Sequence, residues 1–150
     1  MPIFRKIEEK DIGQIVRLEK ETFSDAWSET SIRETCAQSQ AFITVTEVDG
    51  NIAGYCIIYY VLDEAEIARI AVDEHFRRQG IGHELLSYTF ACCEEKKIER
   101  VLLDVRESNV SARAFYKKEG FSEDGIRKDF YEGPKEHAVL MSQSISNLFH

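Results

Sequence analysis

The stretch EIARIAVDEHFRRQGIGHELLSYTF, residues 66 to 90, passes from one periodicity to another across two glycines. Its beginning predicts a β-strand, and the apolar residues Ile81, Leu85 and Phe90 then recur at the spacing of an α-helix. The connection between the two contains Gly80 and Gly82, directly after two arginines and a glutamine. Small residues at such a point let backbone N–H groups approach an anion at the positive end of the helix dipole.

Two common phosphate-binding patterns do not fit the spacing of these glycines. A Walker loop requires a lysine followed by a hydroxyl residue, and Gly82 is followed by His83 and Glu84. The dinucleotide fingerprint requires a third glycine at the position of Leu85. Without further context, the stretch therefore fits an anion-binding loop and a plain strand-to-helix turn equally well, because glycine also satisfies purely local backbone geometry.

The segments on either side extend this strand and helix into a mixed α/β arrangement. Residues typical of helix caps and turns mark the boundaries: Asp11, Ser28, and Ser108 or Asn109 at helix starts, Gly120 at a helix end, and Asp49-Gly50-Asn51 between two strands of a hairpin. The predicted order is β-α-α-β-β-β-α-β-α-β-β. We expect one domain that spans residues 1–150 and contains no internal repeat.

The composition limits the classes of protein to which the chain can belong. At 43% hydrophobic and 31% charged residues, it is typical of a soluble globular domain. The net charge of -8 argues against nucleic acid as the main partner, since phosphate affinity requires clustered basic residues. The chain start lacks the apolar core of a signal peptide, and the longest uncharged apolar run, residues 51–62, is too short to span a bilayer. We therefore expect a cytoplasmic protein without a membrane partner.

The cysteine and histidine spacings predict neither a disulfide framework nor a metal site. The four cysteines form no C-x-x-C pair and are expected to be reduced and mostly buried. The four histidines lack the short spacings that would bring two of them to one helix face beside other ligands. No metal cofactor is expected.

The segment Arg77-Arg78-Gln79-Gly80-Ile81-Gly82 matches in full the acetyl-CoA motif Q/R-x-x-G-x-G/A, so the chain resembles the GCN5-related N-acetyltransferase (GNAT) family. The resemblance extends to RimI-type N-terminal acetyltransferases of ribosomal proteins. It is carried by VLDEAEIARIAVDEHFRRQGIG, LLDVRESNVSARAFYKKEGF, GIRKDFY and FSDAWSE. These segments cover most of the chain, in the order and at the spacing of the family.

This resemblance implies a fold, an activity and a cosubstrate. The fold is a single α/β domain with a mixed, mostly antiparallel central sheet flanked by helices. The activity is transfer of an acetyl group from acetyl-CoA to the N-terminal alanine of a small-subunit ribosomal protein. Two alternatives stay open: the same chemistry on another protein N-terminus, a lysine or a small amine, and an acyl-CoA-binding module without catalysis. The sequence leaves the oligomeric state open.

The resemblance also implies which residues bind coenzyme A. Three residues of the strand would pair with the pantetheine arm through their backbone: Ile70, Ala71 and Val72. The glycine motif and the residue after it would hold the pyrophosphate: Arg77, Arg78, Gln79, Gly80, Ile81, Gly82 and His83. Asn109 matches the position that contacts the pantetheine region.

Two residues are candidates for proton transfer. Tyr116 matches the tyrosine that protonates the departing thiolate in RimI-type enzymes, although an aromatic at this spacing also fits core packing. Asp104 matches the general base, but the family usually has glutamate there, so the carboxylate of this chain is one methylene shorter. The base role could pass to Glu64, Glu107 or a water chain, or Asp104 could be a strand-end carboxylate paired with Arg106 or another cation.

Three further residues are expected to contact the acceptor substrate. Trp27 and Tyr131 lie in segments that shape the acceptor groove in the family, and Glu64 belongs to the same predicted set. The two aromatic residues fit a core or rim position equally well.

Overall fold

The structure, a computed structural model, describes residues 1–145. Residues 146–150, the end of the predicted domain, lie outside the described part of the chain. The described residues form seven strands: β1 (Ile3–Lys6), β2 (Ala41–Val48), β3 (Asn51–Val61), β4 (Glu64–Val72), β5 (Arg100–Arg106), β6 (Ser122–Tyr131) and β7 (Glu136–Ser144). They also form four α-helices: α1 (Ile12–Thr22), α2 (Glu29–Ala37), α3 (Ile81–Glu95) and α4 (Val110–Lys118). The predicted order of elements is confirmed.

The strands form one sheet in the order β1-β2-β3-β4-β5-β7-β6, in which only the β4–β5 pair is parallel. This parallel pair is short, because only residues 64–66 of β4 are in register with residues 100–102 of β5. Beyond residue 66 the two strands are no longer paired with each other. The prediction of a mixed, mostly antiparallel sheet flanked by helices is confirmed, and a gap opens near its middle.

A β-bulge lies in β4 at the start of this gap. Ile67 pairs with Ile58 of β3 and Arg69 pairs with Ile57, so Ala68 is an extra residue in β4. A bulge of this kind bends its strand and increases the local twist. The bulge therefore coincides with the point at which β4 leaves β5.

Each face of the sheet is covered by a different helix pair. Buried residues of α3 and α4, such as Leu85 and Tyr116, pack with Val101 and Leu103 on one face. Buried residues of α1 and α2 pack on the other face, against β2, β3 and β4. On the face that carries α1 and α2, these two helices leave β5, β6 and β7 less covered. The sheet therefore has an accessible surface beside the gap on that face.

Local signals explain where most elements begin and end. The Asn109 side chain accepts a hydrogen bond from the Ala112 amide at 3.1 Å and caps α4, while Gly120 follows that helix with a φ of 101°. The hairpin between β2 and β3 turns at Asp49 and Gly50, both with positive φ. These predicted boundaries are confirmed.

The prediction that Asp11 caps α1 is wrong. Its carboxylate accepts a hydrogen bond from the Glu8 amide at 2.7 Å and pairs with Arg5 at 2.7 Å, so it closes the turn before the helix instead. The arginine reaches it from β1, and a charged partner with good geometry stabilises the buried carboxylate more than a neutral amide would.

The predictions for the cysteines hold in most respects. All four are free thiols, and Cys56, Cys92 and Cys93 are buried, whereas Cys36 is exposed. Across residues 1–145, no helix has the length and hydropathy that a membrane crossing requires.

Candidate active site

A cleft of about 620 Å³ lies between the second half of β4, the start of α3 and the exposed side of α4. All the predicted cofactor residues except Gln79 line it: Ile70, Ala71, Val72, Arg77, Arg78, Gly80, Ile81, Gly82, His83 and Asn109. Gln79 points its amide towards the carbonyl of His75, at 3.5 Å. Residues as far apart in the chain as Ile70 and Asn109 are thus brought to one cavity.

The loop ahead of α3 presents unpaired backbone donors to this cleft. Arg78 and Gly80 have φ angles of 64° and 77°, and this left-handed backbone turns the chain into the helix. Within residues 1–145, the amides of residues 79–83 find no hydrogen-bond acceptor. Such donors at a helix N-terminus, where the helix dipole is positive, form a site for an anion. The loop has the geometry of an anion-binding site as well as that of a turn.

Side chains add charge to this anion-binding loop, residues 77–83. The guanidinium of Arg77 donates a hydrogen bond to the carbonyl of Val72 at 2.9 Å, which ties the loop to the end of β4. The imidazole of His83 lies 2.6 Å from a carboxylate oxygen of Glu119, the residue that follows α4, and this contact fixes the position of the ring. Arg78 lines the cleft without a salt bridge to any residue within the described range.

The strand gap continues the cleft towards the centre of the sheet. Residues 70–72 of β4 pair with β3 on one side, and on the other side they have no partner in β5. Their free backbone groups can pair with an extended amide-containing chain as a neighbouring strand would. Asn109, whose carbonyl oxygen caps α4, lies across the cleft and keeps its amide nitrogen available.

Tyr116 belongs both to the core and to the cleft. Its ring contacts Phe115 and Phe121 edge-on, with 7% of the residue exposed, and it lines the cleft beside Ala112. Burial raises the pKa of Tyr116 well above its ordinary value, with smaller contributions from Cys56 and Tyr131. The phenol therefore stays protonated near neutral pH. Core packing and a chemical role are compatible at this position.

Asp104 lies on the face of the sheet opposite Tyr116. Its neighbours Leu103 and Val105 are buried in the core under α3 and α4, so strand alternation directs Asp104 to the other face. Arg106 binds Glu136 at 3.2 Å instead, and within residues 1–145 Asp104 has no salt bridge. The alternative in which Asp104 pairs with Arg106 or another cation is therefore wrong.

Two predicted acceptor residues flank the surface around Asp104. The Tyr131 ring lies 4.5 Å from the Arg106 guanidinium, and burial followed by the charge of Asp104 raises the pKa of Tyr131. The Trp27 ring contacts Tyr59 of β3, with 6.5 Å between ring centroids. Sequence analysis did not single out Tyr59, because nothing in an apolar β-strand distinguishes one aromatic from its neighbours.

The segment that carries Trp27 is fixed by a buried carboxylate. Glu19 of α1 is fully buried, accepts a hydrogen bond from the Trp27 amide at 2.8 Å, and bonds the hydroxyl of Tyr55. It also pairs at 3.2 Å with Arg69, whose guanidinium lies 3.9 Å from the centre of the Phe23 ring. Residues 23–28 are therefore held against β4 directly beside the bulge.

The other predicted carboxylates, Glu64 and Glu107, lie farther from the strand gap than Asp104 does. Glu64 is exposed, lies 3.9 Å from Arg100, and lines a second cleft of about 420 Å³ at the start of β4, so it is not part of the cofactor cleft. Glu107 follows β5, where its backbone bonds His137 and Arg113. Glu66, which sequence analysis did not single out, is nearer the gap than either. Residues 1–145 contain no cluster of three potential metal ligands.

Comparisons with known proteins agree with this geometry. The model of the acetyltransferase (GNAT) family matches residues 12–121. The chain is 31% identical over 148 residues to the ribosomal protein bS18-alanine N-acetyltransferase of Escherichia coli (strain K12), covering 97% of this chain and 99% of the relative. It is 36% identical over 143 residues to a Bacillus subtilis (strain 168) protein to which the same activity is provisionally assigned, covering 95% of each.

A solved structure supports the same assignment. The crystal structure of the ribosomal-protein-S18-alanine N-acetyltransferase from Escherichia coli superposes with a TM-score of 0.88 at 30% identity, covering 97% of this chain and 94% of the other. The predictions of an acetyltransferase fold and of acetyl-CoA as cosubstrate are confirmed. The chain belongs to the acetyltransferase (GNAT) family.

Proposed function

We propose that this chain transfers the acetyl group of acetyl-CoA to the α-amine of the N-terminal alanine of ribosomal protein bS18. The curated relatives from Escherichia coli and Haemophilus influenzae, at 31% and 34% identity, carry this activity in their names. Their similarity covers nearly the whole of each chain, including the segments around Trp27 and Tyr131 that lie outside the glycine motif. The protein acceptor and a cytoplasmic location are parts of this proposal.

The single observation that carries the proposal is the gap between β4 and β5. It lies between the cleft formed by β4, α3 and α4 and the opposite face of the sheet, on whose side Asp104, Trp27 and Tyr131 are placed. A thioester held in the gap would be open to attack by an amine arriving from that second face. Cosubstrate and acceptor would thus approach from opposite sides, without competing for one pocket.

The cleft fits the parts of coenzyme A in order. The amides of residues 79–83, with Arg77 and Arg78 beside them, suit a pyrophosphate, because they supply several donors and positive charge at one point. The free backbone edge of residues 70–72 suits the amide groups of pantetheine. The thioester would then reach the bulge in β4, close to Tyr116.

The residues on the two faces suit the proton transfers of this reaction. The acceptor nitrogen must lose a proton before it attacks the thioester carbonyl carbon. It loses another as the C–N bond is completed and the C–S bond breaks. Tyr116, protonated near neutral pH, would give its proton to the leaving sulfur. Asp104, on the acceptor face, would receive a proton from nitrogen, directly or through water.

The proposal is tested by comparing the rates at which the enzyme acetylates different acceptor amines. We expect kcat/KM for a peptide with the alanine-first N-terminus of bS18 to exceed that for the same peptide with a blocked N-terminus and a free internal lysine. The physical reason is that an α-amine has a pKa of about 7.7 to 8.0, against about 10.4 for lysine, so a short carboxylate suffices to deprotonate it. Thiol release and mass spectrometry measure rate and site.

Other outcomes identify the alternatives. Faster acetylation of the blocked peptide or of a small polyamine would overturn the ribosomal acceptor and leave the acetyltransferase assignment in place. Binding of acetyl-CoA without thiol release, against every peptide and amine tested, would favour an acyl-CoA-binding module.

A further inference from the structure

Glu66 is the last residue of β4 that pairs with β5. Its register partner is Leu102, and the strands separate immediately after this pair. Ala65 and Ile67 on either side of it are buried in the core under α3 and α4, so Glu66 points to the opposite face of the sheet. That face is the one on which the proposed acceptor side of the gap lies.

Glu66 and Asp104 lie diagonally across the same pair of strands. Asp104 is two residues beyond Leu102 on β5, and alternation directs both carboxylates to one face. Diagonal neighbours on paired antiparallel strands are about 7 to 8 Å apart. Because β4 and β5 separate here, there is room for a small group between the two side chains. The two carboxylates thus stand on both sides of the gap at the point where it opens.

The carboxylate of Glu66 is exposed on this face of the sheet and is not held by the rest of the described fold. It takes part in no salt bridge or hydrogen bond with residues 1–145, unlike Glu64 on the same strand, which lies beside Arg100. The charged and titratable groups facing it are Tyr59 on β3, Asp104 on β5 and Arg127 on β6, together with Glu64 on β4 itself.

The surroundings of Glu66 increase its affinity for a proton. Desolvation, followed by the charge of Asp104, raises the pKa of Glu66, and the charge of Arg127 lowers it by less. Two neighbouring carboxylates also attract a cation, because a positive group between them offsets their mutual repulsion. An α-ammonium group is such a cation.

We propose that Glu66 is a second proton-accepting carboxylate of the acetyl-transfer site, which holds the acceptor ammonium group together with Asp104 and takes a proton from it. The proposal rests on the acetyltransferase function proposed above. It also gives a reason why the shorter Asp104 is sufficient in this chain. A second carboxylate, on the neighbouring strand, supplies the reach that the missing methylene removes.

The proton balance of the reaction provides a place for two carboxylates. An ammonium nitrogen loses one proton before attack and a second as the amide forms, while the sulfur gains one when the C–S bond breaks. Glu66 would accept the first proton and Asp104 the second, with Tyr116 supplying the proton for sulfur. One of the two protons restores Tyr116, and the other leaves to solvent.

The test compares Glu66→Gln with wild type in steady-state kinetics, using the alanine-first peptide or whichever amine the wild type acetylates best. We expect kcat/KM to fall roughly 10-fold at about pH 7 and much less at about pH 9, where the free amine no longer needs a base. Glu94→Gln, which removes the same charge from the exposed end of α3, is the matched control and should keep the wild-type rate.

The readouts separate this proposal from its alternatives. Stabilisation by acetyl-CoA should be the same in Glu66→Gln and wild type, which verifies that the variant is folded and binds its cosubstrate. A wild-type rate for Glu66→Gln at both pH values, or a loss of equal size at both, would overturn the role of Glu66 and leave the proposed function intact. A wild type that acetylates no amine would overturn both proposals.

Discussion

Tyr116 belongs to a buried aromatic cluster and also lines the cleft. A conservative substitution can therefore separate its packing role from its chemical role. Tyr116→Phe removes one hydroxyl and keeps the ring contacts with Phe115 and Phe121. We expect kcat to fall about 10²-fold, because the leaving sulfur loses its proton donor. The thermal midpoint and the Kd for acetyl-CoA should stay close to wild type.

The matched control for this variant is Tyr88→Phe. Tyr88 is a partly buried tyrosine of α3 that packs against the core but does not line the cleft. Its loss of a hydroxyl should leave kcat unchanged. Full activity of Tyr116→Phe across the pH range would assign Tyr116 to packing alone.

Substitutions at Asp104 test the role of the shorter carboxylate at the predicted base position. We expect Asp104→Asn to lower kcat/KM by less than Tyr116→Phe does, because Glu66 and water can take over part of the proton transfer. Asp104→Glu restores the family's usual side chain and should preserve or raise the rate if the pocket keeps the family geometry. Steady-state kinetics with the alanine-first peptide measure both, and equal wild-type rates for both variants would remove Asp104 from the mechanism.

Among the elements, the junction of β4 with α3 is the proposed cosubstrate site, and Gly82 is its most informative position. A Cβ at Gly82 would meet Phe115 at 3.4 Å, so a side chain fits with little adjustment. Gly82→Glu should therefore fold, while its carboxylate repels the pyrophosphate from the amides of residues 79–83. We expect the variant to lose the stabilisation by coenzyme A, which amounts to about 2.7 kcal/mol for wild type at 100-fold excess over Kd.

Gly13→Glu is the control for this prediction. Gly13 lies in α1, its Cβ would meet no heavy atom within 4 Å, and the substitution adds the same charge. This variant should keep the full stabilisation by coenzyme A in a thermal or urea unfolding experiment. An unchanged ligand effect in Gly82→Glu would place the pyrophosphate elsewhere.

At the scale of the whole molecule, Glu19 connects the layer of α1 and α2 to the sheet. Its carboxylate is fully buried and contacts Arg69, Tyr55 and the Trp27 amide. Glu19→Gln leaves the partly buried Arg69 without its main counter-charge, and we expect the free energy of unfolding to fall by about 3 kcal/mol. Urea denaturation measures this loss.

The same helix offers the comparison for Glu19. Glu21 lies 3.7 Å from Arg17 in an exposed pair, so Glu21→Gln should change the free energy of unfolding by less than about 1 kcal/mol. A similarly small effect for Glu19→Gln would show that its buried contacts add nothing to the stability of the fold.

The sequence by itself determined the order of the elements. Periodicity and turn residues are properties of short segments, so the hairpin at residues 49–51 and a helix cap at Ser108 or Asn109 could be predicted before any long-range contact was known. The spacing of the glycines left the loop before α3 as either an anion-binding loop or a turn, and the family resemblance favoured anion binding. The family resemblance added the predicted roles of Tyr116 and Asp104, since it depends on motifs in the chain itself.

Only the tertiary structure decided which groups meet on the proposed acceptor face. Glu66 and Asp104 come together because β4 and β5 pair in one parallel register and then separate, and no local pattern encodes that register. For the same reason Asp11, which looks like a helix cap, binds Arg5 instead. Contacts between distant segments depend on how strands align and helices pack, and these are settled by the burial of the whole core rather than by any single stretch.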